Sequence, residues 1–328
     1  MNLPPQQEQH IRRLLKHLDN GSEQADQCWQ GWKITRLSGG LNNLLFHARG
    51  SSDDLVIKFT IRDERNRAER EFRALSALEE AGLQIAPRPL LFDNDTFHQP
   101  VVVQTWIEGD PIGHPPTMDE DWRELLRYYQ AVHSVTPETS SIGLSKAFSA
   151  STVAEGWSLV DQQLARIPCE AQPKTLKNLI RQFGQVEWTE WERMPITLCR
   201  IDPNVSNFIR GKKRLTSVDW EYRGWGDPAF DIADLMAHPT YMDVDLSRWP
   251  WLTRAYGDLM GDPTVASRIE IYYAILLVWW VARSARFLYE VPRGLDNRLI
   301  PRSLDWETKT RRQYDHYLEL AQSNLDIV

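Results

Sequence analysis

Asp202-Pro203-Asn204-Val205-Ser206-Asn207 runs directly into Phe208-Ile209-Arg210, and after the polar Gly211-Lys212-Lys213 the chain returns through Leu215-Thr216-Ser217-Val218 to Asp219. Two short β-favouring runs on either side of a glycine-lysine turn predict a hairpin. Pairing Arg210 with Leu215 sets Asn207 opposite Val218, because antiparallel partners step together one for one. Asn207 and Asp219 then stand side by side at the open end, with Asp202 just upstream on a loop containing Pro203. Strand pairing alone brings a carboxamide and a carboxylate, both hard oxygen donors, to one place.

The sequence before this hairpin supplies matching parts. Leu55 to Thr60 alternates, with Leu55, Ile57 and Phe59 on one face and Val56, Lys58 and Thr60 on the other. The spacing predicts a helix over Arg67 to Leu78, ending near Gly82, with an apolar stripe of Ala68, Phe72, Leu75 and Leu78. Glu71 lies on that inward stripe and needs a cationic partner, for which Lys58 is the candidate. Ser38-Gly39-Gly40, followed by Asn42 and Asn43, is a small-residue turn whose backbone N–H groups can approach phosphate. Val101-Val102-Val103 runs on to Gly109-Asp110-Pro111, where glycine and proline mark a break, so the hinge is placed near Trp106. Helical periodicity dominates from about Asp119 onward. The expected fold is α+β and two-lobed, with a small N-terminal antiparallel-sheet lobe over residues 1–107 and a larger, mainly helical lobe over 108–328.

Metal-assisted phosphoryl transfer needs oxygen ligands for Mg²⁺, a carboxylate to orient the acceptor hydroxyl, and a positive clamp on the phosphates. Glycine turn, strand lysine, helix glutamate, hinge, Asp-x4-Asn and a further Asp occur here in that order. The chain therefore resembles the aminoglycoside phosphotransferase and choline/thiamine kinase superfamily. The motifs are Leu37-Ser38-Gly39-Gly40-Leu41-Asn42-Asn43, Val56-Ile57-Lys58, Arg70-Glu71-Phe72, Ile107-Glu108-Gly109, Asp202 to Phe208, Val218-Asp219-Trp220-Glu221-Tyr222 and Gly226-Asp227-Pro228-Ala229-Phe230-Asp231-Ile232-Ala233-Asp234-Leu235. The resemblance implies a protein-kinase-like fold, with ATP and Mg²⁺ as cosubstrates and a small molecule, cationic and choline-, ethanolamine- or thiamine-like, as acceptor. It implies Asp202 as catalytic base and Asn207 and Asp219 as metal ligands. Lys58, paired with Glu71, would hold the α/β-phosphates; Val56 would pack on adenine; Trp106 and Ile107 would meet the base at the hinge. The glycine turn, Ser38, Gly39, Gly40 and Asn42, would cover the phosphates. One position departs from the pattern: Arg200 stands where the family has a histidine that braces the catalytic loop.

Composition sets limits on the rest. A net charge of −7 disfavours nucleic acid as partner, since phosphate neutralisation needs a basic surface. Cys28, Cys169 and Cys199 show no paired or metal-type spacing and fit a reducing, cytoplasmic location. The polar stretch Met1 to His10 does not read as a secretory signal. The longest apolar run, Tyr272 to Ala282, is roughly half of what spans a bilayer and reads as a buried helix. Within it Trp279 and Trp280 read as core. Trp225 is the candidate for caging a cationic acceptor, and Asp227 is divided between a turn residue and a substrate contact. Two rivals remain: an antibiotic phosphotransferase, and a nucleotide binder of pseudokinase type weakened by Arg200.

Overall fold

A computed structural model describes residues 3–20, 26–37, 43–191, 194–211, 214–296, 298–299 and 301–325. The N-terminal lobe begins with helix α1 (Pro5–Asp19), which lays Ile11, Leu14, Leu15 and Leu18 on a sheet. That sheet consists of β1 (Asp26–Trp29), β2 (Trp32–Arg36), β3 (Leu44–Arg49), β4 (Asp54–Phe59), β5 (Pro89–Asp93) and β6 (Val101–Thr105), in the order β1-β2-β3-β4-β6-β5 with every pair antiparallel. Leu55, Ile57 and Phe59 of β4 enter the core under α1, which turns Val56, Lys58 and Thr60 to the opposite face, as the alternation predicts. Helix α2 (Arg67–Glu80) fills the connection between β4 and β5, and its Ala74, Leu75, Ala77 and Leu78 join the core of the second lobe.

The second lobe is mainly helical. Its helices are α3 (Asp119–His133), α4 (Val153–Leu164), α5 (Lys174–Phe183), α6 (Pro228–Ala237), α7 (Arg248–Met260), α8 (Val265–Glu290) and α9 (Trp306–Leu325). Helix α8 is apolar and long enough to cross a membrane by length and composition, yet 67% of its apolar window is buried within the fold, against α4, α6 and α9. Short strands carry the site. The pair β9 (Phe208–Arg210) and β10 (Leu215–Ser217) forms the hairpin in the expected register, Arg210 opposite Leu215 and Phe208 opposite Ser217. Strand β7 (Asp110–Pro111) pairs with β9, and β8 (Thr197–Cys199) with β11 (Gly224–Gly226). Gly109 makes the first of these pairings possible. Its φ is +143°, and a Cβ there would sit 2.6 Å from the Arg210 carbonyl oxygen.

Candidate active site

The loop after β8 places Asp202. Ile201 and Asp202 both hold left-handed backbone, at φ 50° and 64°, although neither is glycine. Side chains of α6 fix this conformation. Asp231 accepts the Arg200 N–H at 2.6 Å and the Ile201 N–H at 2.8 Å, and Asp234 accepts the Asp202 N–H at 3.0 Å. Asp231 also faces His133 Nε2 at 3.1 Å, while His133 Nδ1 meets the Tyr256 hydroxyl at 2.6 Å. The carboxylate can only accept, so the imidazole proton lies on Nε2 and Nδ1 accepts from the tyrosine. Three consecutive backbone donors are thereby held by two carboxylates one helical turn apart.

The Asp202 side chain reaches the cleft, and its Oδ1 lies 3.3 Å from His238 Nε2. His238 Nδ1 accepts the Thr240 N–H at 3.3 Å, which leaves the proton on Nε2, directed at Asp202. Burial pushes the Asp202 carboxyl up, but the His238 hydrogen bond and the charges of His238, Arg200 and Arg283 reverse this and hold it below the usual aspartate value. An ionised carboxylate so placed can orient a hydroxyl and take its proton. Asp234 behaves oppositely: burial pushes it up to about 7, with neighbouring Asp231 and Asp202 adding to the rise against the opposing His238.

At the hairpin mouth the Val218 N–H donates to the Asn207 carbonyl at 2.8 Å, which sets Asn207 beside Asp219. Asp219, at φ 62°, turns its carboxylate onto the Lys58 ammonium. Lys58 Nζ also bonds Glu71 Oε2 at 2.7 Å and lies 3.5 Å from Glu221. Burial alone would lower the lysine, and the three carboxylates, Asp219 foremost, more than reverse that and keep it charged. Glu221 extends the network. It pairs with buried Arg67 and accepts Asn43 Nδ2 at 2.8 Å, joining the lobes through a chain of buried charges.

Arg200 is fully buried between the rings of Phe208 and Trp220, at 5.1 and 5.3 Å. It donates to the Val218 carbonyl at 3.1 Å and to the Asp219 carbonyl at 3.4 Å. The arginine thus links the Asp202 loop to the Asp219 segment with donors of its own.

The other expected residues fare differently. Val56 is half-buried on β4, opposite His47 on one side and Gln104 on the other. Trp106 stacks on His47 at 3.9 Å, and its N–H donates to the Asp54 carbonyl at 2.9 Å, which removes that donor from contact with a base. Ile107 follows it at the end of the sheet. Ser38, Gly39, Gly40 and Asn42 lie outside the described residues. Trp225 sits in β11 opposite Leu198, half-buried against the helical core. Asp227 has the geometry of the turn reading: it is fully buried, caps α6 by accepting the Ala229 N–H at 2.9 Å, and pairs with Arg268 at 2.9 Å. Trp279 and Trp280 are corrected in the other direction. Both are half-buried rather than core, and Trp280 meets the His238 ring edge-on at 5.8 Å, next to Asp202.

Asp234, His238, Glu221, Arg67 and Arg283 were missed by the sequence reading. A signal existed for the first two: Asp227, Asp231, Asp234 and His238 recur at helical spacing, a stripe of acids and histidine along one face of a helix otherwise apolar.

No curated protein matches this chain at a significant level. Solved structures do. A choline/ethanolamine kinase family protein from Mesorhizobium loti is 21% identical with TM-score 0.61, covering 89% of this chain and 87% of its own. A spectinomycin phosphotransferase, solved with ADP and spectinomycin, is 11% identical with TM-score 0.59, covering 95% and 98%. A choline kinase from Streptococcus pneumoniae is 16% identical with TM-score 0.56, covering 97% and 100%. These likenesses establish the two-lobed kinase-like fold. The family model described as the phosphotransferase enzyme family matches residues 33–265, more than half of the sequence, and the chain belongs to that family.

Proposed function

We propose that this phosphotransferase moves the γ-phosphoryl group of Mg·ATP to a hydroxyl of a small molecule, with Asp202 orienting that hydroxyl and accepting its proton. The observation that carries the reading is that buried Arg200 ties the loop of an ionised Asp202 to the Asn207–Asp219 mouth, where Asp219 pairs with buried Lys58. The donor set fits magnesium: Asp219 is a partly exposed carboxylate, and the Asn207 carboxamide makes no hydrogen bond among the described residues. When bound there, the metal supplies charge neutralisation to the phosphate oxygens. The remaining work falls to the chain itself. Lys58, held by Glu71, clamps the phosphates; Ser38, Gly39, Gly40 and Asn42, outside the described residues, are assigned to the phosphates from the sequence alone. Val56, Ile107 and, with its N–H already bonded to Asp54, the carbonyl of Trp106 receive the base, in keeping with a lobe boundary at residues 107–108. Free Cys28, Cys169 and Cys199 and the use of ATP favour a cytoplasmic site of action.

The bonds made by Arg200 favour an active enzyme over a nucleotide binder, because they brace the loop that the usual histidine would brace. The relatives named for choline, ethanolamine and spectinomycin do not choose between the metabolite and antibiotic readings. Asp202→Asn tests the assignment. It is expected to lower Mg-dependent ADP release by about 10²-fold or more while leaving the thermal shift with Mg·ATP intact. Undiminished ADP release would remove Asp202 from the chemistry.

A further inference from the structure

The aromatic surface beside His238 is already occupied by a cation. Arg283, on α8, lies over the rings of Trp279 at 5.0 Å, Trp280 at 5.5 Å and Phe287 at 4.7 Å. Trp280 touches His238, and His238 reaches Asp202, so one ring and one imidazole connect this guanidinium to the proposed base. Its charge is felt there, among those that hold the Asp202 carboxyl low. Two further arginines approach the same Phe287 ring, Arg302 at 4.6 Å and Arg286 at 5.0 Å. Arg298 belongs to the group through Asp296, which it shares with Arg302.

Two of these arginines meet carboxylates, Arg286 with Glu290 at 3.2 Å and Arg302 with Asp296 at 2.6 Å. Among the described residues Arg283 has no carboxylate and no hydrogen bond, and its Nε is buried without a partner. Burial pushes its pKa down to about 10 against the pull of Tyr222 and Asp202, so it stays charged at neutral pH with no carboxylate in contact. The half-buried guanidinium keeps hydrogen-bond donors free, and its planar fork matches carboxylate and phosphate oxygens. A quaternary ammonium would need the very ring faces that Arg283 covers, and would add another positive charge beside it.

We propose that the acceptor carries an oxyanion, a carboxylate or a phosphate ester, which Arg283 binds while the acceptor hydroxyl faces Asp202. The proposal rests on the phosphotransfer reading and departs from the cationic acceptor that the family resemblance implies.

The test is a thermal-shift titration of wild type, Arg283→Met and Arg283→Lys, each saturated with Mg·AMP-PNP so that the nucleotide subsite is filled. Malonate supplies the carboxylate arm, glycerol 3-phosphate the phosphate arm, and choline the cation arm. At least one anion is expected to stabilise wild type. Its apparent affinity should fall about tenfold or more in Arg283→Met and recover in part in Arg283→Lys, as for loss of a charge-assisted hydrogen bond. Choline should give no shift. Stabilisation by choline alone, by neither anion, or equally by an anion in Arg283→Met would overturn the proposal. So would weakened AMP-PNP binding in Arg283→Met with anion binding intact, which would assign the arginine to the nucleotide. The same titrations without nucleotide separate the two readings: anion binding in a protein that shows no AMP-PNP shift would leave Arg283 as an anion site, while removing the kinase reading and with it the assignment of that anion to the acceptor.

Discussion

Replacing Asp234 with asparagine should make the protein more stable above neutral pH and leave it nearly unchanged in mild acid. The carboxyl is buried on α6, where desolvation and the neighbouring Asp231 and Asp202 push it from 3.8 up to about 7. The unfolded chain releases this proton near the ordinary value, whereas the native state keeps it to about pH 7. Between those values the native state binds the extra proton, so stability falls as pH rises through the window and levels off above it. The gap from 3.8 to about 7 corresponds to about 4 kcal/mol. Asparagine removes the ionisation and keeps an oxygen for the Asp202 N–H, which donates at 3.0 Å. Exchanging a charged acceptor for a neutral one gives back about 1 kcal/mol. The expected net gain is about 3 kcal/mol at pH 8, or about 4 °C in Tm. Denaturant melts of both proteins from pH 4 to 8.5 would measure it, with the two curves converging near pH 4. A difference independent of pH, or an asparagine variant less stable at pH 8, would refute the argument that Asp234 is a strained carboxylate.

Glu221→Gln removes the charge that answers Arg67 and helps hold Lys58, both buried. It should cost about 3 kcal/mol in chemical denaturation, and a loss under about 1 kcal/mol would show that the buried network is not held by charge. Arg200→Met keeps the length of the side chain but loses its donors to the Val218 and Asp219 carbonyls. Slack between the Asp202 loop and the Asp219 segment should lower kcat by about ten- to a hundredfold with a small change in KM, and an unchanged kcat would remove Arg200 from positioning.

The hairpin was legible because strand pairing is a local rule: once Arg210 faces Leu215, the Asn207 and Asp219 neighbourhood follows. The Lys58–Glu71 pair was legible for a similar reason, since a charge on an inward helical stripe must find its opposite nearby. Longer-range partners left no such trace. Asp227 looks available in the sequence, and only the fold brings Arg268 and Tyr272 onto it. Trp279 and Trp280 sit in an apolar run that reads as interior, but the turn of α8 presents them to His238 and Arg283 instead. The arginines at the end of α8 and after it lie far from Asp202 in the chain, and nothing in periodicity ties them to it.

The left-handed backbone at Ile201 and Asp202 has a consequence for when the enzyme can act. A β-branched residue does not choose φ 50° unaided, and here the conformation is imposed by hydrogen bonds from α6. If α6 shifts, these residues lose the acceptors that hold them and the Asp202 carboxylate loses its placement. A chain that is still folding, or beginning to come apart, is therefore disarmed. The proposed proton acceptor takes its place only in the finished molecule, so that half-built copies would not squander nucleotide.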